Sequence, residues 1–130
     1  MEVHIVGQED KFIELSERVK VINNLNPDLL ISLHVSASKD EAENGARAVI
    51  SSKNPHHSNA RIIASKLING LDKSHKVDVV DQDLYILKNV VCAAITLEVG
   101  YLSNGIDRAN LTSEKGQKEI GEKILKSIAE

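Results

Sequence analysis

A chain of 130 residues has the length of one domain, so a single core spanning residues 1–130 is expected, burying roughly two-thirds of the surface that the unfolded chain exposes. Apolar residues make up 42% and charged residues 27%, as in an ordinary globular protein, while an aromatic content of 2% requires an aliphatic core. The formal charge of −3, spread over mixed acids and bases with no Lys/Arg block, argues against a nucleic-acid partner, and no apolar stretch approaches the ~20 residues of a membrane span.

"EVHIV" alternates and is rich in β-branched residues, which predicts a strand over residues 2–6, broken by "GQED". A helix follows, with Asp10 as N-cap and Phe12, Leu15, Val19 and Ile22 at helical spacing, and it stops before Pro27. "LLISLHVS" is the next strand, apolar on both faces in its first half, as expected where helices cover both sides of a sheet. "KDEAENG" is a polar turn and "ARAVISS" a short strand. Ser58 then caps a helix whose stripe is Ala60, Ile63, Ala64, Leu67, Ile68 and Leu71.

"VDVVDQDLYIL" reads as extended, an edge strand or a long loop, and "VVCAAITLEVG" as the most buried strand of the chain. Cys92 lies within that run and reads as a small buried hydrophobe. "YLSNGIDRANLTSEKGQ" is a loop rich in turn residues, and Ile120, Ile124 and Ile128 mark a closing helix. Strands alternating with helices predict an α/β fold with a mostly parallel sheet and helices on both faces.

In such sheets the working groups collect at the carboxyl ends of the strands. "LLISL" ends on His34 and "CAAITL" on Glu98, just before the turn at Gly100. Alone, His34 reads either as a hydrogen-bonded strand-end histidine or as a metal ligand. Glu98 is harder to explain as structure, because a carboxylate closing so apolar a run costs several kcal/mol if it is buried unpaired. The two together suit a metal site, His34 as nitrogen ligand and Glu98 as ligand or general base. His4 reads as an edge or surface residue, His56 and His57 as a solvated pair before a helix, and His75 as surface.

"NPDLLISLHVSAS" with "NGARAVISS", "LYILKNVVCAAITLEVGYLSNGIDRANL" and "GQKEIGEKILKSIAE" resembles the zinc-dependent N-acetylmuramoyl-L-alanine amidases of the type 3 amidase family, through nearly the whole chain. The resemblance implies one Zn²⁺ held by two histidines and a glutamate, and cleavage of the amide between N-acetylmuramic acid and the L-alanine of a peptidoglycan muropeptide. By that pattern His34 matches the last of the three metal ligands and Glu98 the catalytic glutamate.

The family's first strand leads to a ligand histidine in a Gly-rich turn, and its first helix carries a ligand glutamate. Neither has a counterpart here, so the expectation is an N-terminally truncated amidase-like fold with an impaired or empty zinc site. Ser36 stands where the family usually has asparagine. Loss of a flanking strand and helix would bare a sheet edge and favour a homodimer. No signal peptide is visible, and a cell-envelope or extracellular setting is implied by the family alone. Two other readings are a non-catalytic module that binds peptidoglycan or a partner protein on the same fold, and a different hydrolase in which His34 and Glu98 act together.

Overall fold

The computed structural model describes residues 1–7, 12–71 and 79–129. Its elements in chain order are α1 (Leu15–Leu25), β1 (Leu29–Ser36), β2 (Arg47–Ile50), α2 (His57–Leu71), β3 (Val79–Asp81), α3 (Tyr85–Asn89), β4 (Ala93–Tyr101), α4 (Gly105–Thr112) and α5 (Glu114–Ala129). The four strands form one open sheet in the order β1-β4-β2-β3. β1 runs parallel to β4 and β2 parallel to β3, whereas β2 and β4 are antiparallel. The sheet is therefore mixed, with two of its three pairings parallel.

Alternation along the strands divides the apolar residues between two layers. On one face Ala48 and Ile50 of β2 and Ala93, Ile95 and Leu97 of β4 pack against Ala60, Ala64, Leu67 and Ile68 of α2, with Ile124 and Ile128 of α5 closing the layer. On the other, Val49 and Ala94 pack against Val19 and Ile22 of α1 and Leu87 of α3, joined by Val90 and Cys92. Both faces thus carry helices, as the alternating pattern predicts. Cys92 is buried, and burial pushes its thiol pKa up.

Several expectations are corrected. Residues 2–6 form no strand: the segment is mostly exposed and lies outside the sheet, since β-branched alternation makes a strand only where another strand takes up its backbone hydrogen bonds. Phe12 is 92% exposed and Leu15 54%, so the apolar stripe of α1 reduces to Val19 and Ile22. The cap expected at Asp10 lies outside the described residues, and α1 starts after an extended Glu14 that makes no side-chain cap. Its end is as expected, with Asn26 left-handed at φ 49° and its N–H on the carbonyl of Asn23 just before Pro27.

The first half of β1 meets both layers as expected, Leu29 and Ile31 packing on one and Leu30 on the other, but as an edge strand β1 is only half-buried, and Leu33 and Val35 are exposed. α2 begins at His57, one residue ahead of the expected cap Ser58. The extended stretch after residue 78 contains the edge strand β3 and then turns into α3, a helix too short to show periodicity. The loop expected after Tyr101 is largely helical. Asn104 accepts the backbone N–H groups of Ile106 at 3.1 Å and Asp107 at 3.0 Å, so "SNGID" is a capped helix start, and α5 already begins at Glu114.

Candidate active-site cleft

Parallel pairing of β1 with β4 sets His34 opposite Glu98, and antiparallel pairing of β4 with β2 sets Glu98 opposite Arg47. The three form one row across the sheet, His34, Glu98, Arg47, at the carboxyl ends of β1 and β4. All three share the strand parity of Leu30, Ala94 and Val49, hence the face covered by α1 and α3. The row beneath is Ser32, Thr96 and Val49. A cleft of about 410 Å³ opens above them, walled by Leu15 and Arg18 of α1 and by residues around the start of α3.

The charged row is tightly bonded. Arg47 donates from Nε to Glu98 Oε2 at 2.9 Å and from Nη2 to Oε1 at 3.2 Å, while Ser36 Oγ donates to Oε1 at 3.0 Å. Ser36, at the position where asparagine was expected, thus contributes a hydroxyl to the carboxylate. The Glu98 side chain is 18% accessible and that of Arg47 34%. Burial by itself pushes the Glu98 pKa up, but hydrogen bonds from Arg47 and Ser36 and the charges of Arg47 and His34 outweigh it and hold the carboxyl below its usual range. The carboxylate that looked costly in the sequence is ionised and compensated.

His34 is exposed, and its Nε2 lies 2.9 Å from Ser32 Oγ. The strand ends behind the row are tied by Asp107, whose Oδ2 accepts the N–H of Gly45 and of Tyr101, each at 2.9 Å. One carboxylate of α4 therefore fixes both the segment leading to Arg47 and the segment leaving Glu98.

The other histidines lie elsewhere. His4 pairs with Glu2 at 2.8 Å in the N-terminal segment. His57 is not a solvated loop residue: it opens α2, half-buried, and its Nε2 lies 3.1 Å from Asp81 Oδ1. His56 is exposed, and His75 lies outside the described residues. Among the described residues no group of three or more His, Cys, Asp and Glu side chains could hold a metal ion. A catalytic zinc takes three protein ligands with a fourth position open. His34 and Glu98, the latter engaged by Arg47, do not by themselves fit a complete zinc site.

Arg47, Arg18 and Asp107 were missed by sequence reasoning. Arg47 had a visible signal, an arginine opening the apolar run "AVI", but its meaning required the pairing that sets it against Glu98.

The mixed sheet thus sets a histidine and a bonded carboxylate at adjacent strand ends, facing a cleft. The profile of the Amidase_3 family, N-acetylmuramoyl-L-alanine amidase, matches residues 1–130, and the chain belongs to this family. It is 28% identical over 116 residues to the germination-specific N-acetylmuramoyl-L-alanine amidase of Bacillus subtilis, a match that covers 88% of this chain and 49% of that protein. The catalytic domain of CwlV, the N-acetylmuramoyl-L-alanine amidase of Bacillus (Paenibacillus) polymyxa, superposes with a TM-score of 0.79 at 26% identity, over 93% of this chain and 66% of that one. The CwlD amidase of Clostridioides difficile, solved in complex with the GerS lipoprotein, shares the fold with a TM-score of 0.80 at 24% identity, over 88% of this chain and 59% of that one. The chain thus spans about half to two-thirds of the length of these relatives. Among the described residues no helix is long and apolar enough to cross a membrane.

Proposed function

We propose that this chain is the part of an N-acetylmuramoyl-L-alanine amidase domain that supplies the catalytic carboxylate. The reaction is hydrolysis of the amide joining N-acetylmuramic acid to the L-alanine of the peptidoglycan stem, which sets the work of the protein at the cell wall, in the envelope or outside the cell. The observation that carries this reading is the register pairing of His34 with Glu98 at adjacent strand ends, in a chain matched along its whole length by the amidase family.

Glu98 is the general base and acid. It takes a proton from the attacking water and returns it to the leaving nitrogen as the carbon–nitrogen bond breaks, a task for a carboxylate that is ionised near neutral pH and within one hydrogen bond of both partners. Its lowered pKa keeps it ionised. His34 is one zinc ligand. Because, among the described residues, it and Glu98 fall short of a full ligand set, the chain by itself is expected to bind zinc weakly and to hydrolyse the substrate poorly or not at all.

Two experiments test this. Zn²⁺ titration against a chelating dye is expected to give weak binding that weakens further in His34→Ala; tight binding by the chain alone, with cleavage, would overturn the impairment. A chimera in which residues 1–130 replace the matching part of the CwlV catalytic domain is expected to release stem peptides from peptidoglycan, with a loss of about 100-fold or more in Glu98→Gln. A folded chimera that binds muropeptide without cutting it would favour a non-catalytic binding module instead. Cleavage indifferent to Glu98→Gln would remove Glu98 from the mechanism.

A further inference from the structure

We infer that Asp107 is a positioning residue for Glu98: its carboxylate clamps the sheet just beyond the Glu98 rung and so fixes where the proposed general base stands. The inference rests on the amidase reading for the role of Glu98, and adds a residue that acts only through it.

Glu98 stands where the regular pairing of β4 runs out on both sides. Toward β2, Arg47 with Glu98 is the last rung, after Val49 with Thr96 and Ala48 with Leu97. Toward β1, His34 with Glu98 is the last rung before the register shifts, and the next pair is Ser36 with Tyr101. A strand end beyond its ladder frays, and a side chain carried there moves with its backbone. A catalytic group displaced by as little as ~1 Å loses much of its rate.

Asp107 supplies bonds beyond that rung. Its Oδ2 accepts the N–H of Gly45, ahead of Arg47, and of Tyr101, past Glu98, each at 2.9 Å. Hydrogen bonds to a carboxylate are roughly twice as strong as neutral ones. The acceptor is itself held in place, because Asn104 caps α4 by taking the N–H of Asp107 at 3.0 Å. Two glycines permit the approach. Gly45 has φ 95°, a conformation that side chains rarely adopt, and a Cβ on Gly100 would lie 3.3 Å from Asp107 Oδ2. One side chain of α4 thereby joins the end of β4 to the start of β2 across the rung that carries Glu98.

The test has a structural arm and a catalytic arm. In the full chain, amide hydrogen exchange at residues 45–48 and 98–101 is expected to speed up about tenfold or more in Asp107→Ala, while Ala94 and Ile95 keep the wild-type rate. In Asp107→Asn, whose amide oxygen accepts both N–H groups, exchange is expected to stay within about threefold of the wild type. A rise spread evenly over the sheet, or no rise, would overturn the inference. Should Asp107→Ala fail to fold, the wild type decides: Gly45 and Tyr101 amides are expected to be protected like the rung amides, and free exchange there would sink the clamp.

In the CwlV chimera, per folded enzyme, Asp107→Ala is expected to lower kcat by about 10- to 100-fold with KM within about twofold, and Asp107→Asn to keep kcat within about threefold. An unchanged kcat in Asp107→Ala, or a loss that Asp107→Asn shares in full, in a chimera that still depends on Glu98, would overturn the inference and leave the amidase reading intact. A wild-type chimera that cuts nothing would refute the amidase reading, and hydrogen exchange would then decide by itself whether Asp107 holds the Glu98 rung.

Discussion

Glu98 lies between His34 and Arg47 in register, and of the two neighbours it is Arg47, 2.9 Å away, that holds its carboxylate. The ion pair is part-buried, so removing one partner strands the other. Arg47→Met is expected to cost about 1–3 kcal/mol, read from urea unfolding, and the cost should fall well short of additive when combined with Glu98→Gln. Additive losses would show that the two side chains do not depend on each other.

The same pair sets an acid limit. The folded pKa of Glu98 lies below its unfolded value, so the pair contributes fully above the unfolded carboxyl pKa of about 4.3 and is lost as pH falls through the lower folded value. The stability gap between wild type and Arg47→Met should be flat from neutral pH down to about pH 5 and close below that. A gap that widens in acid would contradict the assigned direction.

Asn54 is 4% exposed and ties its own turn to the stretch 87–92, its Nδ2 donating to the carbonyls of Leu87 at 2.7 Å, Cys92 at 3.0 Å and Val90 at 3.2 Å, while its Oδ1 accepts from His56 N at 2.7 Å. Asn54→Ala leaves those carbonyls without their donor and should destabilise the chain by about 3 kcal/mol, measurable in urea. Asn54→Asp should do no better, because a carboxylate cannot donate to them.

Gly116 sits where α5 crosses α4, and a methyl group there would collide with the backbone carbonyl of Asn110. Gly116→Ala should cost about 2–3 kcal/mol, despite alanine's better helix propensity. Gly121→Ala in the same helix meets nothing within 4 Å and should be neutral or slightly stabilising, so thermal unfolding of the two variants separates packing from propensity.

Among the described residues no strand pairs with the outer edge of β1, where Leu33 is 60% and Val35 49% exposed. An unpaired edge with apolar side chains pairs readily with another chain. Sedimentation is expected to show concentration-dependent dimers that Val35→Lys suppresses; a monomer at all concentrations would remove this edge as a self-association surface.

Local pattern alone was enough to show the main elements. The apolar stripe of α2, the apolar run of β4 and the two strands that carry His34 and Glu98 near their carboxyl ends follow from side-chain period and turn residues, because burial on one or two faces leaves that imprint directly in the chain. The resemblance of the His34 and Glu98 segments to the amidases was legible there too. Tertiary structure decided the rest. Whether "EVHIV" became a strand depended on a partner strand that it does not find, and whether "SNGID" was a turn or a helix start depended on Asn104 reaching two backbone N–H groups. Above all, the antiparallel pairing of β2 with β4 brings Arg47 onto Glu98 across 51 residues of sequence. No local period encodes such a partner, because strand register is set by the packing of the whole sheet.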